Sequence, residues 1–185
     1  NRIETHYGVD RQILVAIWGL ESNFGAVRGD VPTIAALATL AATNRRGAYF
    51  ESELIAALRI VQAGDVTASG LKGSWAGAMG HTQFMPSNYL TLAADFDGDG
   101  RRDIWGNDPT DALASTAAYL AKWGWQKGQA WGVEIVLPQG FDYGLAGDKV
   151  QKPVAEWQAL GVTRAGGEAL PDQSLAWVLL PGGAR

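Results

Sequence analysis

Residues 13 to 25 read ILVAIWGLESNFG, eight apolar or small residues without a break ahead of the carboxylate of Glu21. Asp10 is placed to cap this stretch and Gly25 to stop it, which predicts a helix of about three turns. Ile13, Ile17, Leu20 and Phe24 recur at i, i+4, i+7 and i+11, the spacing of one core-facing stripe. A short amphipathic helix over residues 1 to 9 leads into it. Pro32-Thr33 opens an Ala/Leu-rich helix to about Ala42, and GAYFESELIAALRIVQA predicts another over 47 to 63. Pro86-Ser87 starts a short helix through about Ala94, and a further helix spans 111 to 123 before Gly124. The pattern then changes. WGVEIVLP (131–138) and LAWVLLP (175–181) read as strands, with one short helix from Pro153 to Leu160 between them. The expected fold is mainly α: a helical core over 1–128, including an acidic loop at 95–111, and a small mixed α/β lobe over 129–185 that is truncated at its C-terminal end. No internal repeat or long linker interrupts it.

Composition narrows the function. With 47% hydrophobic residues, 18% charged residues and a net charge of -4, the chain is a soluble globular protein with no nucleic-acid footprint. Cysteine is absent, and the two histidines, His6 and His81, are far apart, so thiolate and histidine-rich zinc sites are excluded. No signal peptide or apolar run of membrane-spanning length is present, and the chain reads as a processed form or a fragment. The 24 glycines exceed the usual share of about 7% and point to shaped loops. The eight tryptophans offer flat apolar faces that suit sugar rings, although such side chains also fill ordinary cores.

Four stretches carry candidate chemistry. Glu21 has Ile17 four residues back and Trp18 three back, so its helix-surface neighbours are apolar. Desolvation disfavours a charged carboxylate, and such an environment would let Glu21 hold a proton near neutral pH and donate it as a general acid. A surface Glu, or a buried one paired with Arg, is the alternative. Asn44-Arg45-Arg46 lies at a helix junction, as either a solvated cap or a positive clamp for an anionic group. GLKGSWAGAMG (70–80) holds four glycines, which permit close backbone approach to a ligand. Ser74 and His81 could pair as nucleophile and base, but the GxSxG elbow is missing.

DFDGDGRRD (95–103) places Asp95, Asp97 and Asp99 at positions 1, 3 and 5 of a calcium loop, Gly100 at position 6 and the Arg101 carbonyl at position 7. Converging carboxylates repel unless a hard cation neutralises them. Position 12 is Gly106 rather than Glu, so a later carboxylate must close the site. Asp111, at the start of the next helix, is preferred over Asp108.

The stretches AIWGLESNFG (16–25), NRR (44–46), GSWAGAMGHTQFMPSNY (73–89) and DFDGDGRRDIW (95–105) together resemble the membrane-bound lytic murein transglycosylase B family, glycoside hydrolase family 103, of Gram-negative bacteria. The resemblance implies a lysozyme-like helical core whose groove holds peptidoglycan, with Glu21 as sole catalytic acid/base. It also implies that Ser74, Gln83, Phe84 and Tyr119 line the groove and that Arg45 and Arg46 face the peptide or carboxylate side of the glycan. An EF-hand-like structural calcium site would be formed by Asp95, Asp97, Asp99, Arg101 and Asp111, with no organic cofactor. The expected activity is cleavage of the β-1,4 bond between MurNAc and GlcNAc with formation of 1,6-anhydroMurNAc. The expected setting is a periplasmic monomer acting on glycan strands, tied to the outer membrane only through a lipid anchor that this chain lacks. Family members carry more chain at both ends, including a C-terminal Tyr/Asn motif that helps build the groove.

The residues agree with a single-acid path. Two-carboxylate glycosidases set their acids about 5 to 9.5 Å apart, yet 73–94 contains no Asp or Glu. Two other readings stay open on the sequence: a water-using muramidase, and a non-catalytic glycan-binding module.

Overall fold

The computed structural model describes residues 1–43, 46–129, 131–171, 175–181 and 183. Among these lie seven α-helices: α1 Arg2–Tyr7, α2 Arg11–Ser22, α3 Thr33–Thr43, α4 Gly47–Ala63, α5 Pro86–Leu92, α6 Thr110–Lys122 and α7 Val154–Ala159. Four two-residue strands pair antiparallel as β1 Val31–Pro32 with β2 Lys72–Gly73, and β3 Ile135–Val136 with β4 Thr163–Arg164. The chain divides into two compact units, Asn1–Gly128 and Gln129–Arg185.

In the first unit, α4 buries Phe50, Glu53, Ala56, Ala57 and Ile60 along one face and packs against α3 and α5. With Leu37, Leu71, Met79, Phe84, Tyr89, Ile104 and Ala112 it builds the main core. A second cluster joins Val9 and Leu14 to Ala117 of α6. Burying Glu53 (3% exposed) demands partners. It has them at the start of α5, where Ser87 donates its backbone N–H (2.9 Å) and its hydroxyl (2.6 Å) to the two carboxylate oxygens.

The helix spans agree closely with the sequence pattern, but the buried face of α2 does not. The stripe Ile13, Ile17, Leu20, Phe24 is not the core face: Leu20 is 86% exposed and Phe24 55%. Leu14 and Ser22, at i and i+8, are the buried residues instead. A serine can take that place because its hydroxyl is satisfied, donating to the His81 carbonyl at 2.6 Å and accepting from the Gly25 N–H at 2.9 Å.

The second unit is built on Phe141, Trp157, Val162 and Val178. One strand expectation is corrected here. The run 175–181 forms only an isolated bridge, Ala176 to Lys152, and β3 pairs with 163–164, a segment whose polarity gave no strand signal. Among the described residues no helix is long and apolar enough to cross a membrane.

Candidate active site

Glu21 stands on the last turn of α2, solvent-exposed. The desolvated niche expected from its apolar neighbours is therefore not supplied by them. Successive helical residues lie about 100° apart, so with Ser22 buried Glu21 points outward. Immediately after it the chain reverses through two left-handed residues, Asn23 (φ 49°) and Phe24 (φ 56°), whose N–H groups bond back to the Gly19 and Trp18 carbonyls. An aromatic residue in that region is strained, and strain of this kind is held in place by surrounding contacts. Here the Phe24 ring folds back over Gly19, where a Cβ would come within 2.8 Å of it, and meets Trp18 edge-on at 5.6 Å. Beside Glu21 the exposed Leu20 and Phe24 border an open apolar depression lined also by Val15, Ala16 and Gly19.

Behind this end of α2 lies a polar cluster that the sequence pattern did not reveal. His81, 3% exposed, accepts at Nδ1 from the Trp18 indole N–H (3.0 Å), while its Nε2 lies 2.8 Å from the Gly106 carbonyl and 3.1 Å from Arg28 Nη1. Arg28 also donates to that carbonyl. Burial lowers the pKa of His81, and the Arg28 charge pushes the same way. The His81 ring nitrogens face Trp18, Gly106 and Arg28, while the Ser74 hydroxyl accepts from the Ala76 and Ala78 N–H groups and closes the 74–78 turn.

The glycines of this turn make it tight. A Cβ on Gly73 would collide with the Ala78 carbonyl, and one on Gly77 with the Leu37 side chain. Gln83, another positive-φ residue (54°), donates its amide to the carbonyls of Gly80 (2.9 Å) and Arg28 (3.2 Å) and so ties the turn to the segment after α2. Phe84, expected to line the groove, belongs to the main core cluster. It is 6% exposed and lies 6.1 Å from the half-buried Tyr119 ring, which it supports from behind. Tyr119 is followed by Trp123, 73% exposed, at 6.3 Å. Arg46 stacks its guanidinium over Tyr49 (4.4 Å), and Arg45 lies outside the described residues.

The acidic loop gathers Asp95, Asp97 and Asp99 with ligand oxygens all within 4.8 Å of one another, exposed at the surface. Their carboxylates are oriented by N–H groups of the loop itself: Gly98 and Gly100 donate to Asp95, Asp99 to Asp97, and Arg101 to Asp99. Three hard oxygen donors held convergent suit a divalent cation that takes oxygen ligands. Asp111 is not part of that convergent set. It lies buried at the start of α6, accepting from the Phe96 N–H (2.8 Å) and the Asp103 N–H (3.0 Å). Burial raises its pKa, and those two hydrogen bonds counteract the rise. Asp108 is exposed and accepts from the Thr110 N–H at the start of α6; hydrogen bonding with the Thr110 side chain first, and with its N–H second, lowers its pKa.

The family model for the transglycosylase SLT domain matches residues 1–185. The chain is 40% identical over 169 residues, 88% of its length, to membrane-bound lytic murein transglycosylase B of Escherichia coli K12, of which it covers 44%. Among solved structures it is similar to SltB3 of Pseudomonas aeruginosa in complex with NAG-anhNAM-pentapeptide (52% identity, TM-score 0.87), covering 100% of this chain and 50% of that one. It is also similar to the Escherichia coli lytic transglycosylase Slt35 in complex with calcium (38% identity, TM-score 0.83), covering 97% and 56%. The chain thus spans about half the length of the relatives it matches.

Proposed function

The chain belongs to the transglycosylase SLT domain family and has its lysozyme-like, mainly helical fold, and from that premise we propose that it acts on peptidoglycan as a lytic transglycosylase. The observation that carries the proposal is Glu21. It is an exposed acid at the end of a helix, fixed from behind by the Ser22 hydrogen bond to His81 and bordered by exposed apolar side chains. The relatives' crystallised complexes with NAG-anhNAM-pentapeptide and NAG-NAM-pentapeptide support the same substrate class.

In the proposed reaction the Glu21 carboxyl gives its proton to the glycosidic oxygen between MurNAc and GlcNAc as the bond from that oxygen to C1 breaks. Positive charge develops on the MurNAc ring. The Glu21 carboxylate then takes the proton of the same sugar's C6 hydroxyl, whose oxygen forms the new bond to C1. Glu21 ends protonated, one 1,6-anhydro ring is made and no water is consumed. One acid suffices because the nucleophile is intramolecular and has a high effective concentration. Apolar Leu20 and Phe24 beside Glu21 favour a sugar face laid over it, which would exclude water during the transfer. Tyr119, backed by Phe84, presents a flat ring suited to a pyranose. Ser74 and Gln83 act mainly in shaping the turn, and Arg46 supplies positive charge for an acidic group of the substrate.

Calcium is the cation proposed for the 95–101 loop, held by Asp95, Asp97, Asp99 and the Arg101 carbonyl, in line with the Slt35 complex. The Asp111 carboxylate closes the loop from its buried side. The role is structural. A peptidoglycan substrate puts the working place of the protein in the periplasm.

Digestion of purified sacculi followed by mass spectrometry tests the reading. Parent chain should release anhydro-muropeptides. Glu21→Gln should bind the glycan yet lose at least about a hundredfold in rate, the scale of a missing general acid. Reducing-end products from the parent would indicate a muramidase, and binding without any cleavage would indicate a glycan-binding module.

A further inference from the structure

We propose that His81 is a positioning residue for Glu21, a neutral imidazole locked in one tautomer that fixes the last turn of α2 from both its ring and its backbone. The inference rests on the proposed role of Glu21 but is drawn from hydrogen bonds that exist whatever that role is.

The tautomer follows from donor and acceptor types. An indole N–H can only donate, so the His81 Nδ1 facing Trp18 at 3.0 Å must accept, and the ring proton sits on Nε2. That proton points at the Gly106 carbonyl, 2.8 Å away, which also receives Arg28 Nη1. A carbonyl has two lone pairs, so both donors are accommodated. The opposite tautomer would set two N–H groups against each other at Trp18. A second proton would do the same and add a cation beside Arg28. The groups of fixed or variable charge acting on the ring are Arg28, Asp103 and Asp108, and its remaining neighbours at Trp18 and Ser22 are neutral.

The backbone of the same residue holds α2 as well. Its carbonyl accepts from Ser22 Oγ at 2.6 Å, and its N–H donates to the Ile104 carbonyl at 3.1 Å. Residues 18 and 22 flank Glu21 by three positions and one, so both ends of the turn that carries the acid are clamped. Close approach is built in: a Cβ on Gly25 (φ 83°) would run into the His81 ring, and one on Gly80 (φ 71°) into the Ile104 carbonyl. One side chain therefore joins the Glu21 turn to the 104–106 segment that follows the acidic loop. A misplacement of even about 1 Å at a catalytic group can cost about a hundredfold.

Two substitutions separate the ring's two contacts. In His81→Asn the amide oxygen falls near the Nδ1 position and can still accept from Trp18. In His81→Gln the amide nitrogen falls near Nε2 and can still donate to Gly106, but the acceptor for Trp18 is gone. We expect His81→Asn to rescue most of the turnover on muropeptide substrate. His81→Gln should lose about tenfold or more in kcat at unchanged KM, with the two variants melting within a few degrees of each other. Independently of activity, the Trp18 indole N–H resonance, assigned with Trp18→Phe, should shift with pH through a His titration in the parent and lose that titration in His81→Asn.

Loss of kcat in proportion to loss of Tm in both variants, or a Trp18 resonance blind to pH and to position 81, would overturn the proposal. If the parent cleaves no glycan the functional reading fails, while the Trp18 resonance still decides whether the ring holds the indole.

Discussion

A buried base is a poor place to store a proton, and His81 shows why at the level of one residue. Burial is the largest cause of its lowered pKa, with Arg28 adding repulsion. In the unfolded chain the same imidazole titrates near its ordinary value of about 6.5. Between that value and the lower folded one, the unfolded state binds the extra proton and the folded state refuses it. Stability therefore rises with pH in this window, is fully present above about 6.5 and is lost as the pH falls below it. Urea unfolding should give a lower free energy at pH 5 than at pH 7, and His81→Asn should flatten the part of that difference due to this group. An unchanged slope in the variant would assign the acid sensitivity to other groups, such as the protein's carboxylates.

The acidic loop is the element whose behaviour is easiest to test. Its three aspartates are convergent and mutually repelling, and their orientation comes from the loop's own N–H groups. A cation that binds only the folded loop stabilises by mass action, about 2.7 kcal/mol at a concentration a hundredfold above its Kd. Calcium should accordingly raise the Tm of the parent and chelator lower it, whereas Asp97→Asn should abolish the shift. A calcium response that survives Asp97→Asn, or no response in the parent, would contradict the assignment. Much of this element was legible, because alternating Asp with Gly100 is a pattern tied to one geometry. The part that was not legible concerns Asp111. Spacing brought it to the loop but did not show that it would spend both oxygens on the Phe96 and Asp103 N–H groups.

Helices were equally readable where amphipathic spacing and stop signals agreed, as in α4 Gly47–Ala63, closed by Gly64 in the left-handed conformation. The buried face of α2 was misread for a definite reason. Hydrophobic periodicity counts Leu20 and Phe24 as core and Ser22 as surface, yet a serine with two hydrogen bonds is cheap to bury, and a site needs apolar side chains in the open. The pattern 175–181 failed as a strand because β-rich composition does not supply a partner.

Across the whole molecule, tertiary contacts join stretches that are far apart in sequence around the Glu21 turn: Trp18 and Ser22 to His81, Arg28 to Gly106, Gln83 to the Arg28 carbonyl. No local pattern announces such pairings. The motif resemblance found the stretches that hold Trp18, Ser22, His81 and Gln83 but not Arg28 or Gly106, and the structure supplies the bonds between them. That network does not include a second carboxylate, and the central claim is that none is needed because the substrate's own C6 hydroxyl is the nucleophile. Digestion of sacculi in heavy-oxygen water tests this most directly. The MurNAc product should be lighter by one water than the hydrolysed sugar and free of heavy oxygen at C1; a reducing MurNAc carrying the label there would make water, not the C6 hydroxyl, the nucleophile.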